Sequence, residues 1–108
     1  MRKTIEYTTP SWNALYSANK WARKKIVDNE REALGFLLKG KFPVQKKRVD
    51  ITIHQFSKRP IDSDNVCAKL WIDSLKDIGV LKNDTPQYLG WVHTKSEKGD
   101  PRTIIEIL

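Results

Sequence analysis

The sequence predicts an α+β fold: one domain running β-α-β-α-β-β, with a mixed sheet flanked by two helices. Three observations lead to it. The chain has 108 residues, enough for one domain with a single modest core. Its 39% hydrophobic and 31% charged residues suit a globular protein and are too apolar for wholesale disorder. Stretches of period-two alternation are interleaved with stretches of 3.6-residue periodicity, as expected for strands and helices sharing one core.

The first strand is expected over 2–8, where Ile5 and Tyr7 alternate with polar neighbours, and Thr9-Pro10-Ser11 ends it. A long helix is expected over 17–39. Ser17 is its N-cap, and Ala18, Ala22, Ile26, Ala33 and Leu37 fall near one face. Gly40 supplies its stop, and a polar connection over 41–47 contains Pro43. Val49, Ile51 and Ile53 alternate with Asp50, Thr52 and His54, the clearest strand pattern in the chain. Ser57-Lys58-Arg59-Pro60 ends that strand. Asn65 is placed to cap a second helix over 66–78, with Leu70, Trp71, Leu75 and Ile78 facing inward. Lys69, Asp73, Lys76 and Asp77 share its opposite face at ion-pair spacing, and Gly79 closes it. Residues 88–94 and 103–108 read as two strands joined by a hairpin loop containing Gly99 and Pro101. There is no internal repeat or low-complexity tract.

No apolar run approaches the ~20 residues needed to cross a bilayer, and the first residues lack the apolar stretch of a secretory signal. Cys67 is the sole cysteine and makes no internal disulfide. These features lead to the expectation of a protein of the reducing cytoplasm with no membrane partner. The net charge of +7 is uneven: residues 1–59 hold 14 Lys and Arg against 5 Asp and Glu, residues 60–108 hold 6 against 8. A basic surplus attracts polyanions by counterion release, although many small proteins are basic for solubility alone.

Within the acidic half lies Asp62-Ser63-Asp64-Asn65, with Asn83-Asp84 about twenty residues later. In an extended segment Asp62 and Asp64 point the same way while Ser63 points away. Carboxylates grouped this way suit a hard divalent cation, and such cations act on phosphate esters. Two Asp residues before a helix also serve as N-terminal caps, so the tetrapeptide alone leaves both readings open. Asp84 lies beyond the second helix; it reaches Asp62 if the chain folds back or if a second subunit supplies it.

The longer string Arg59-Pro60-Ile61-Asp62-Ser63-Asp64-Asn65, then Lys69, Asp73, Leu75, Gly79-Val80-Leu81 and Asn83-Asp84, resembles the RusA family of Holliday-junction resolvases. Pro10-Ser11, Asn13 and the basic stretch 21–25 are similar to the family's N-terminal region. The resemblance implies a RusA-like endonuclease domain over 1–108: a small dimeric, Mg²⁺-dependent enzyme that resolves four-way or branched DNA by symmetric paired nicks. It makes Asp62, Asp64 and Asp84 the catalytic, metal-binding carboxylates and Lys69 the residue that steadies the scissile phosphate. Two positions depart from the family pattern. Asn83 stands where the family has the first Asp of a pair, and Lys69 follows Asn65 by four residues where some members have three.

The basic residues are then candidates for DNA contact: Lys20, Arg23, Lys24 and Lys25 on the first helix, Lys46, Lys47 and Arg48 before the second strand, Lys58 and Arg59 beside the acidic motif. His54 and His93 read as strand-surface or packing residues. Trp12, Trp21, Trp71 and Trp91 read as core, with Trp12 the exception because it follows Pro10-Ser11 in an expected loop. Two rival functions remain: a branched-DNA-binding module without cleavage, and a basic scaffold protein.

Overall fold

The computed structural model describes residues 1–108. Four strands, β1 (Arg2–Ile5), β2 (Val49–Ser57), β3 (Leu89–Lys98) and β4 (Arg102–Ile107), form one sheet in the order β1-β4-β2-β3. β2 pairs parallel with β3 and antiparallel with β4, and β1 pairs antiparallel with β4, so the sheet is mixed. Three helices accompany it: α1 (Trp12–Ser17), α2 (Lys20–Leu38) and α3 (Ala68–Asp77). The α+β class follows.

Alternation along β2 buries Val49, Ile51, Ile53 and Gln55 on one face, and β4 adds Ile105 and Ile107. Leu34 and Leu38 of α2 and Leu70, Trp71 and Leu75 of α3 close over that face as one cluster. Each fully buried aliphatic side chain is worth about 1.5–3 kcal/mol. Arg31 of α2 grips Asp77 of α3 with two hydrogen bonds (2.9 and 2.6 Å), fixing how the two helices meet. On the opposite face no helix packs. There His54 stacks on Phe56, Arg102 lies 3.8 Å over the Phe56 ring, and Trp91 stacks on His93.

Several expected boundaries change, each for a local reason. The first helix divides in two. Ser11 caps α1 by accepting from Ala14 N–H, and Asn19 caps α2 by accepting from Ala22 N–H at 2.9 Å. Ser17 is the last residue of α1 and caps nothing downstream. The buried line on α2 runs through Leu34 and Leu38, while Ala22 is exposed. β1 stops at Ile5 because the following residues bond to side chains instead of a strand. Thr103 Oγ1 donates to the Tyr7 carbonyl at 2.7 Å, and Thr9 donates twice to Gln55 Oε1 at 3.3 Å. The Tyr7 hydroxyl donates to Glu30 (2.8 Å); burial, then the Glu30 carboxylate, push its pKa up to about 12.

β3 and β4 are not a hairpin, because β2 lies between them. The connection crosses the end of β2 at Gly99, whose N–H donates to the Ser57 carbonyl at 3.1 Å. A Cβ at Gly99 would sit 2.9 Å from the Phe56 ring, so the close crossing selects glycine.

Candidate active site

The segment from β2 to α3 runs out along the edge strand β3. Ile61 N–H donates to Ser96 Oγ (3.1 Å), Ser96 N–H to Ser63 Oγ (3.0 Å) and Thr94 Oγ1 to the Ser63 carbonyl (2.7 Å). Ser63 is thereby turned to the sheet, and Asp62 and Asp64 are left facing solvent. The expected extended stretch is instead a 3₁₀ turn, Ser63–Asn65, with Asp62 as its N-cap residue.

Asn65 does not cap α3, which starts at Ala68 after Cys67. Its Oδ1 accepts from Asn13 N–H at 2.9 Å, and Ser11 forms a bridge with Val66. These contacts seat α1 against the acidic turn. Between them opens a cleft of about 430 Å³ lined by Trp12, Asn13, Tyr16, Asp62, Asp64 and Asn65. Neither Asp62 nor Asp64 has an ion-pair partner, in a chain carrying +7.

One wall of the cleft is aromatic. Trp12 and Tyr16 stack with centroids 5.6 Å apart, and the Arg23 guanidinium lies 5.4 Å from the Tyr16 ring. Tyr16 is 64% exposed. The spacing Trp12–Tyr16 is one helical turn, a signal hidden because this segment read as a loop. Trp71 is buried, while Trp21 (79% exposed) and Trp91 (40%) stand on the surface, contrary to the expected core placement.

Asp84 is not in this cleft. Its carboxylate lies 3.5 Å from Lys76 Nζ, in the last turn of α3, whereas Asp62 and Asp64 precede the first turn. From Ala68 to Lys76 the helix rises on the order of 12 Å. No group of three His, Cys, Asp or Glu side chains gathers within the subunit. Asn83 closes a local turn, its Oδ1 accepting from Thr85 N–H and the Thr85 hydroxyl.

Lys69 lies past the aromatic wall, in an adjoining groove with Trp12, Tyr16, Arg23 and Asp73. Its Nζ is 3.4 Å from Asp73, and Asp73 is 3.9 Å from Lys76, so a chain of charges runs down α3 to Asp84. Among the basic candidates, Arg23 donates to the Leu15, Tyr16 and Ala18 carbonyls, and Lys24 pairs with Asp28 at 2.7 Å. Lys20, Lys25, Lys46, Lys47, Arg48, Lys58 and Arg59 are exposed and have no carboxylate partner. Of these, Lys58 and Arg59 precede the acidic turn directly, and Lys46, Lys47 and Arg48 sit at the other end of β2.

No protein-family model matches the sequence, and no curated protein matches it. No helix is long and apolar enough to cross a membrane.

Proposed function

We infer that the protein is a metal-dependent, structure-selective endodeoxyribonuclease acting on four-way or branched DNA as a homodimer. The observation that carries this reading is the pair Asp62 and Asp64: exposed carboxylates without cation partners, lining an open cleft beside a stacked aromatic pair. Mg²⁺ commonly takes only one or two protein carboxylates, completing its shell with water and substrate phosphate. Asp62 and Asp64 fit that requirement and would hold the ion. When bound, it supplies charge neutralisation at the phosphate and a more acidic water.

The chain's own residues bind and orient the strand. Trp12 and Tyr16 offer aromatic faces to unpaired bases, a sequence-tolerant contact worth about 1–3 kcal/mol per base. Lys58 and Arg59 lie next to the acidic turn in sequence and serve phosphates on either side of it. Lys69 reaches the same strand from beyond the aromatic wall once it leaves Asp73. Asp84 joins from the partner subunit, since its own subunit holds it at the other end of α3. A twofold dimer then presents two equivalent sites, as paired nicks require.

The test is Mg²⁺-dependent nicking of a synthetic four-way junction, compared with linear duplex of the same sequence. Wild-type protein is expected to nick the junction. Asp64→Asn is expected to lose nicking while keeping or improving junction binding, because it removes negative charge facing DNA. Undiminished activity in that variant sinks the assignment. Binding without incision by the wild type favours an inactive branched-DNA-binding module, a reading helped by the absence of three gathered carboxylates in the subunit. No preference for branched DNA and no metal dependence leaves a basic scaffold. Mixed dimers test the shared site. Asp64→Asn and Asp84→Asn homodimers are each inactive, but their heterodimer regains one intact site if Asp84 acts across the twofold axis, and none if it acts in its own subunit.

A further inference from the structure

At the far end of α3 from the acidic cleft lies a second open recess, of about 500 Å³. Lys46, Lys76, Lys82 and Tyr88 line it, with Val44 and Leu81 as apolar wall. Lys76 is partly neutralised by Asp73 and Asp84. Lys46 and Lys82 have no carboxylate partner, and the Lys82 ammonium stands 5.6 Å from the centre of the Tyr88 ring. The recess therefore faces solvent with a surplus of positive charge beside an aromatic face. Its volume falls in the range of about 300–1,000 Å³ typical of small-ligand sites.

We propose that this recess is a phosphoryl-binding site: Lys46 and Lys82 take the phosphate oxygens, and Tyr88, with Val44, receives the attached nucleoside. Lysine ammoniums act as point-charge phosphate ligands, and these two break no ion pair to bind one; Lys82 gives up only its contact with the Tyr88 ring. Tyr88 and the apolar wall favour a nucleoside phosphate over a bare anion, since sugar and base gain contact area there. Gly79, at φ 82°, turns the chain out of α3 and sends Val80 and Leu81 back over the helix end, which shapes the floor. The phosphoryl group belongs to a nucleotide within a strand or to a free nucleotide; the site chemistry is the same. The proposal stands whether or not cleavage occurs at Asp62 and Asp64.

The full ¹⁵N-labelled chain is titrated at constant ionic strength with inorganic phosphate, with a nucleoside monophosphate and with an oligothymidylate lacking terminal phosphate. Saturable amide shifts are expected at Gly79, Lys82 and Tyr88, with the nucleoside phosphate or the oligonucleotide tighter than inorganic phosphate. Tighter binding of the oligonucleotide assigns the site to a strand; tighter binding of the monophosphate assigns it to a free nucleotide. Lys46→Ala with Lys82→Ala changes only exposed side chains and should weaken binding at least tenfold with an otherwise unchanged spectrum. Asp64→Asn should lose nicking while saturable shifts at Gly79, Lys82 and Tyr88 persist, so loss of nicking and loss of this site are told apart. No saturable shift at these amides with any probe, an equal response to chloride, or undiminished affinity in the double variant overturns the proposal.

Discussion

The turn carrying Asp62 and Asp64 is held to β3 by bonds that the aspartates themselves do not make. Thr94→Val with Ser96→Ala removes two of the three, the 2.7 Å bond to the Ser63 carbonyl and the 3.1 Å bond from Ile61 N–H. The acidic tetrapeptide itself is untouched. At this partly exposed edge each bond has a net worth of about 1 kcal/mol, so the pair is worth about 2 kcal/mol, a factor of roughly 30 in how often the turn lifts away. Asn65 N–H, bonded to the Asp62 carbonyl at 2.9 Å, reports that opening. Native-state hydrogen exchange should show Asn65 losing about 30-fold of its protection while Ile51 and Ile53 in β2 keep theirs. Junction nicking should fall alongside, because the carboxylates are correctly placed for a smaller fraction of the time. A change below about threefold at Asn65, or an equal fall in β2, refutes the idea that these two bonds seat the turn.

Arg23→Lys replaces a guanidinium serving three carbonyls of the α1–α2 junction with an ammonium that reaches fewer; urea unfolding should show a loss of about 1–2 kcal/mol and nicking should fall as α1 loosens. At Gly90 an added Cβ would overlap Asp50 Oδ1, which accepts from Trp91 N–H at 2.9 Å. Gly90→Ala should therefore cost about 2 kcal/mol, and much less in an Asp50→Ala background, as a double-mutant cycle by chemical unfolding would show. Asp73→Asn frees Lys69 and Lys76 from their shared partner, so junction affinity should rise at low salt, and the gain should shrink when Lys69→Ala is added. The imidazole of His54 has its pKa lowered, chiefly by burial, with Glu97 opposing. A depressed histidine binds fewer protons folded than unfolded, so stability is lost as pH falls below the ordinary value near 6.5. His54→Gln should flatten thermal stability against pH in that window.

The parts of the fold legible in the sequence were those decided by local pattern. The alternation at Val49, Ile51 and Ile53 marks the central strand because burial on one face of a strand is a period-two property, and Trp71 and Leu75, one helical turn apart, mark α3. The missed features were decided by contacts between distant residues. Asn65 has the chemistry of a helix cap, yet Asn13 N–H, 52 residues away, takes its side chain. The split between α1 and α2 turns on a competition between Ser17 and Asn19 as caps that composition does not resolve. Placing β2 between β3 and β4 depends on sheet order, which no single segment encodes. The acidic motif was visible; its aromatic wall was not, since Trp12 and Tyr16 become neighbours only once α1 is known to be a helix.

Topology also explains why Asp84 stands apart. β2 and β3 are parallel, so the chain must return the length of the sheet between them, and α3 is that return. A carboxylate before α3 and one after it are therefore held at opposite ends of the same rod. If a twofold axis brings Asp84 of one subunit to Asp62 and Asp64 of the other, the same axis forms the reciprocal site. The separation between the two composite sites then equals the separation, within one subunit, between Asp84 and the acidic turn. Each site would also gain the Lys76 and Lys82 ammoniums that flank Asp84, so the acidic cleft and the basic recess would become two walls of one channel. In such a dimer, Lys46→Ala with Lys82→Ala on one subunit would impair incision at the site built on its partner's Asp64 and spare the other.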